Sequence, residues 1–119
     1  MRRVMIFLTG VAILGLSACS KYTIPAPEYP DGMPENVSYS ADIQPIFDNN
    51  CLSCHSGGQP PDLSADWSYD ELINGGYVNT DEPMNSSLYQ IFDGTHQGRA
   101  TYDETLYILG WIKEGAENN

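Results

Sequence analysis

Apolar residues fall into a few short blocks along this chain, separated by glycine, proline and acidic stretches. The first block, Val4 to Leu16, is apolar except for Thr9, Gly10 and Gly15. From Lys21 to Val37 there is no hydrophobic period, and Pro25, Pro27, Pro30, Gly32 and Pro34 favour an extended tether. Period 3.6 starts with Ile43, Ile46 and Phe47, which predicts a short helix ending at Asn50. Ser40 or Asp42 is the expected N-cap, and Asp42 is preferred because it puts Pro45 in the first turn, where its missing N–H costs little. Ser56 to Leu63 contains Gly57, Gly58, Pro60 and Pro61 and must be a loop.

Three further helices follow. Ser68-Tyr69-Asp70-Glu71 is a capping-box pattern that opens a helix over 69–74, which Gly75-Gly76 stops. Asn85 or Ser86 caps a helix over 87–92, with Leu88, Ile91 and Phe92 on one face and Gly94 as stop. Thr101-Tyr102-Asp103-Glu104 is a second capping box. It opens the longest helix, 102–114, with Leu106, Leu109 and Ile112 on its apolar face, Trp111 alongside and Gly115 as stop. No alternating strand pattern and no repeat is present. The expected class is all-α: about four short helices in one domain over 38–119.

Charge narrows the range of functions. The 119 residues carry 5 Lys and Arg against 16 Asp and Glu, a formal net charge of −11. Arg2 and Arg3 lie at the N-terminus, and without that segment Lys21, Arg99 and Lys113 face all 16 acids, a charge of −13. Such a surface has no electrostatic route to nucleic-acid phosphates and is repelled by anionic lipid. A protein partner would instead offer a basic patch, although the same carboxylates also serve plain solubility.

The N-terminal block reads as an export address. Arg2-Arg3, an apolar run too short for a comfortable membrane span, and small residues at its end have the layout of a signal peptide. Leu16-Ser17-Ala18-Cys19 resembles the lipobox of bacterial lipoproteins. That resemblance implies cleavage after residue 18, acylation of Cys19 and a lipid anchor holding the protein outside the cytoplasm. The expected organisation is therefore a signal over 1–18, a lipidated tether over 19–37 and the domain over 38–119. Ser20, in place of an Asp after Cys19, points to the outer membrane rather than inner-membrane retention.

The two remaining cysteines carry the chemistry. Cys51-Leu52-Ser53-Cys54-His55 is a Cys-x-x-Cys-His motif, the attachment signature of c-type haem. The two thiols add to the two vinyl groups of the porphyrin, and the adjacent His55 becomes the proximal iron ligand. A thioredoxin-like dithiol would call for a preceding strand, a zinc site would call for a second ligand pair, and a local disulfide remains the bland alternative.

Two further stretches extend the argument. Ile43-Gln44-Pro45-Ile46-Phe47 before the motif and Leu109-Gly110-Trp111-Ile112-Lys113-Glu114-Gly115-Ala116 at the end resemble class I cytochromes c, particularly the small cytochrome-like domains of bacterial lipoproteins. The resemblance covers residues 37–119. It implies one covalent haem c, and first and last helices that cross, setting Ile46 and Phe47 against Leu109 and Ile112. It also implies a proline carbonyl that accepts the proximal His N–H, for which Pro60 and Pro61 are candidates and Pro61 is preferred. Trp111 is read as core packing at least as readily as haem contact. Tyr69, Tyr77 and Tyr89 are read as half-buried packing, with pocket lining as the alternative.

The sixth ligand departs from the family. Relatives usually supply a Met from the loop before the last helix, and here that loop, 93–100, holds His96 instead. His96 is the first choice for the distal iron ligand, Met84 the alternative and an open position the third. The expected activity is single-electron transfer between redox partners outside the cytoplasm, without catalysis. A haem peroxidase or gas-binding protein with an open distal site is the competing reading, and a non-haem binding module is the third. So small a domain also needs the porphyrin to complete its core.

Overall fold

A computed structural model describes residues 23–119, so the 1–18 signal and the Cys19 lipidation site lie outside the described residues. Among the described residues all regular structure is helical: α1 (Gln44–Asn50), α2 (Ser68–Asn74), α3 (Ser87–Gln90) and α4 (Tyr102–Lys113), with a π-helical turn at Tyr39–Ile43 and 3-10 turns at Pro83–Asn85 and Ile91–Asp93. The fold is small and all-helical. No described helix is long and apolar enough to cross a membrane.

α4 forms where its sequence pattern says it should. The Thr101 hydroxyl accepts from Glu104 N while the Glu104 carboxylate accepts from Thr101 N, a complete capping box. Its buried side is broader than the pattern predicts, because Ile108 is fully buried alongside Leu109, Trp111 and Ile112. The main core cluster joins Ile43, Ile46, Phe47, Leu72, Leu88, Ile108, Trp111 and Ile112. Trp111 is 1% exposed and donates from its indole to Glu117 O. It packs at a ring-centroid distance of 5.0 Å from Tyr39 and serves the core.

Three sequence expectations need correction. The first helical segment starts earlier than Asp42: Ser38 is the cap, with its hydroxyl accepting from Ala41 N, while Asp42 reaches back to accept from Ser38 N. Pro45 explains the wide turn. The π-type bonds from Ile43 N to Ser38 O and Gln44 N to Tyr39 O are made before Pro45, which has no N–H to continue the ladder. This turn, rather than Ile46 and Phe47 alone, is what packs on α4. Second, the Ser68 capping box does not form, because Ser68 is fully buried and its hydroxyl is spent in a side-chain network. Third, Ser86 stands at the N-cap of α3, but its hydroxyl serves Asn79 N and Asn79 O instead of the helix.

The tether is only half a tether. Residues 23–28 are exposed, but from Tyr29 the chain lies against α4. Val37 is buried, the Lys113 ammonium sits 4.8 Å from the Tyr29 ring centre, and Glu114 accepts from both Asn36 N and Val37 N. The close approach depends on Gly110, where a Cβ would stand 2.8 Å from Pro34 O. Gly110→Ala is therefore expected to push the arm off α4 and cost about 1–3 kcal/mol in thermal or urea unfolding. An unchanged midpoint would show that the arm is not packed in solution.

Candidate functional site

The Cys-x-x-Cys-His motif sits on a hydrogen-bonded turn that prolongs α1. Cys51 N donates to Phe47 O, and Cys54 N and His55 N both donate to Cys51 O at 3.1 and 3.0 Å. The turn leaves Cys51 half-buried and Cys54 exposed, both as free thiols. Burial, reinforced by the Glu104 carboxylate and opposed by Arg99, holds the Cys51 thiol above its ordinary range.

Beyond His55 the chain makes a loop and returns. Leu63 N donates to His55 O at 2.7 Å, which closes the base of the loop. Within it, His55 Nδ1 lies 3.0 Å from Pro61 O and 3.1 Å from Gln59 O. A ring nitrogen between two carbonyls carries the proton, so His55 presents Nε2 as its free lone pair.

That nitrogen's ring borders a predominantly apolar cleft of about 240 Å³. Cys51 and His55 line it together with the apolar side chains of Phe47, Leu72, Leu88, Ile91 and Phe92. His96 stands at the cleft too, with its ring centre 6.1 Å from that of His55 and the planes inclined by 37°. The loop reaches back to the cleft through His96 N to Ile91 O, and Gly98 takes the left-handed φ of +79° that the reversal requires. His96 Nδ1 pairs with the Thr95 hydroxyl at 3.0 Å, and among the described residues Nε2 has no partner.

The other predicted residues fall elsewhere. Met84 lies in the 3-10 turn Pro83–Asn85 and lines a separate groove with Ile24, Pro25, Pro27 and Tyr29, so the alternative distal ligand is not brought to His55. Pro83, at the start of that turn, is buried and lines the same groove beside the tether. Tyr77 lines the cleft, whereas Tyr69 packs edge-on against Tyr39 and donates to Ala116 O. Among the described residues no three His, Cys, Asp or Glu side chains gather as a metal site of their own.

Glu104, whose carboxylate accepts from Asn50 just before the motif, is a group the fold tunes. Burial pushes the Glu104 carboxyl up, but bonds from Thr101 N, Asn50 and the Thr101 hydroxyl outweigh it and hold the carboxyl below its ordinary range. The folded state thus binds fewer protons here than the unfolded chain. Its contribution is present above the ordinary glutamate range and fades as pH falls through the lowered folded value. Glu104→Gln is expected to flatten this part of the acid-unfolding curve, while Thr101→Ala costs about 1 kcal/mol at neutral pH. An acid limb that is as steep in Glu104→Gln as in the wild type would overturn the assignment.

Sequence reading missed much of this cleft. Leu88, Ile91 and Phe92 were legible as one helix face, but nothing in their spacing says that the face borders His55. Leu63, Leu72 and Gln59 carried no signal. Compared with known proteins, the chain matches no family model, no curated protein and no solved structure.

Proposed function

We propose that this chain is a membrane-anchored monohaem c-type cytochrome that passes single electrons between partner proteins outside the cytoplasm. The observation that carries the reading is a pair of histidine rings, 6.1 Å apart between centres, lining one predominantly apolar cleft, one of them belonging to the Cys-x-x-Cys-His motif. With metal–imidazole bonds of about 2 Å on either side, two rings that share one iron have centres roughly 6 Å apart. The separation of 6.1 Å fits that requirement, and in both rings Nδ1 is engaged while Nε2 has no partner among the described residues.

The roles of the chain's own residues follow. Cys51 and Cys54 would hold haem c through thioethers, and His55 and His96 would be the iron ligands, with Pro61 O and Gln59 O fixing the tautomer and orientation of His55. Phe47, Leu72, Leu88, Ile91 and Phe92 exclude water and keep the surroundings of low polarity. Bound haem supplies reversible cycling between ferrous and ferric iron. With a histidine on each side no iron position is left for a substrate, which favours electron transfer over peroxidase or gas-binding chemistry.

The acidic surface suits a redox partner with a basic docking patch and offers nothing to nucleic acid. Acylated Cys19, in an exported bacterial lipoprotein of the outer membrane, would tie the domain to lipid. Ten residues separate Cys19 from Tyr29, where packing begins, so the anchor allows a reach of at most about 36 Å.

The test is maturation. The chain is expressed with its export signal in a bacterium that has haem-attachment machinery, and the membrane fraction is run on a denaturing gel stained for haem. Haem that migrates with the polypeptide supports the reading, and a stain-free polypeptide of full abundance ends it.

A further inference from the structure

We propose that Gln44 is a positioning residue for His55, acting through the loop that carries Pro61, an inference that rests on the haem reading above. Gln44 is a polar side chain just before Pro45, yet it is 7% exposed. Its amide is committed at both ends. Nε2 donates to Leu63 O at 3.0 Å and to Asp48 Oδ1 at 2.8 Å, while Oε1 accepts from the Ser68 hydroxyl at 2.5 Å. Ser68 in turn accepts from the Tyr39 hydroxyl at 2.6 Å.

Leu63 is where this network meets the site. Its carbonyl is held by Gln44, its N–H donates to His55 O, and Pro61, two residues earlier, presents the carbonyl that lies 3.0 Å from His55 Nδ1. The loop over 56–62 is otherwise largely exposed, and its glycines make it compliant. Two bonds at Leu63 therefore fix the far end of a soft loop, and one of them comes from a rigid helix. Without Gln44 the Pro61 carbonyl has freedom to drift, and the Nδ1–H bond weakens. A proximal imidazole with a weaker Nδ1–H bond is a poorer donor to iron, so ferric iron loses stabilisation relative to ferrous and the potential rises.

Ser68 provides the control, because it belongs to the same buried network but does not touch Leu63. Gln44→Met keeps the volume and removes the polar ends. Measured on the matured wild-type protein and its variants, Gln44→Met is expected to shift the ferrous-to-ferric preference about tenfold toward ferrous, about 59 mV upward for one electron. Ser68→Ala should lower the melting temperature comparably and leave the potential in place. The proposal fails if Gln44→Met keeps the wild-type potential, or if Ser68→Ala moves it as far. Should Gln44→Met not mature, Gln44→Asn, one methylene too short for Leu63 O, is read by the same criterion. A wild type without covalent haem is seen before any variant is compared, and it sinks the haem reading itself.

Discussion

Replacing both Cys51 and Cys54 by Ala is expected to abolish covalent haem and, with it, most of the native helicity. The helices are short: α1 and α2 have seven residues each and α3 has four. Helices of this length have no independent stability in water. Their apolar residues converge on a core that remains open on one side, at the cleft bordered by Phe47, Leu72, Leu88, Ile91 and Phe92. Phe47, Leu72 and Leu88 are already buried, but Ile91 and Phe92 are only half-buried at the cleft, where a porphyrin would cover them in a domain close to the lower limit of size for a single core. Circular dichroism should therefore show strongly reduced helicity and a broad, non-cooperative melt for the double variant. Full helicity with a sharp transition would mean that the polypeptide core suffices by itself.

The second large effect is at His96. His96→Ala removes the ring facing His55 at 6.1 Å and puts no other ligand-bearing side chain in its place, since Met84 lies on a different groove. The ferric protein is expected to turn from low-spin to high-spin, and the reduced protein should bind carbon monoxide immediately on mixing. Met84→Ala is expected to leave both properties as they are in the wild type. The reverse outcome, a low-spin His96→Ala and a high-spin Met84→Ala, would assign the distal position to Met84. Two imidazoles on one iron also place the potential below that of a His/Met site, which suits a low-potential donor.

How far the sequence reaches can be judged residue by residue. α4 is legible because Thr101, Glu104 and a long 3.6-residue period act together within one local stretch. The start of the first helical segment is not, because Pro45 admits both a late cap at Asp42 and an early one at Ser38 relieved by a π turn. Ser68 shows the limit of motif reading. The pattern Ser-x-x-Glu scores as a cap, yet burial of Tyr39 and Gln44 beside it makes the hydroxyl more valuable inward. That inward network leaves its mark on Tyr39, whose phenol is pushed up to about 12 by burial, opposed by the bond to Ser68.

Cys51, Cys54 and His55 stand out in the sequence because five consecutive residues form the Cys-x-x-Cys-His pattern. His96 is legible as the single other histidine and by its place in the loop before α4. Its nearness to His55 depends on how the loop over 93–100 folds back over Ile91, a tertiary matter that no local pattern encodes. The packed arm from Tyr29 to Val37 escaped for a similar reason: the prolines over 25–34 look like a linker, and it is the bare backbone at Gly110 that lets Pro34 O come close to α4.

The central claim is that His55 and His96 hold the two faces of one covalently bound haem. The absorption spectrum of the matured wild-type protein tests this most directly, recorded oxidised, reduced, and reduced under carbon monoxide. Low-spin haem c bands are expected in both redox states, with a reduced spectrum that carbon monoxide leaves unchanged. A polypeptide without haem bands, or a reduced form that shifts at once under carbon monoxide, would contradict it.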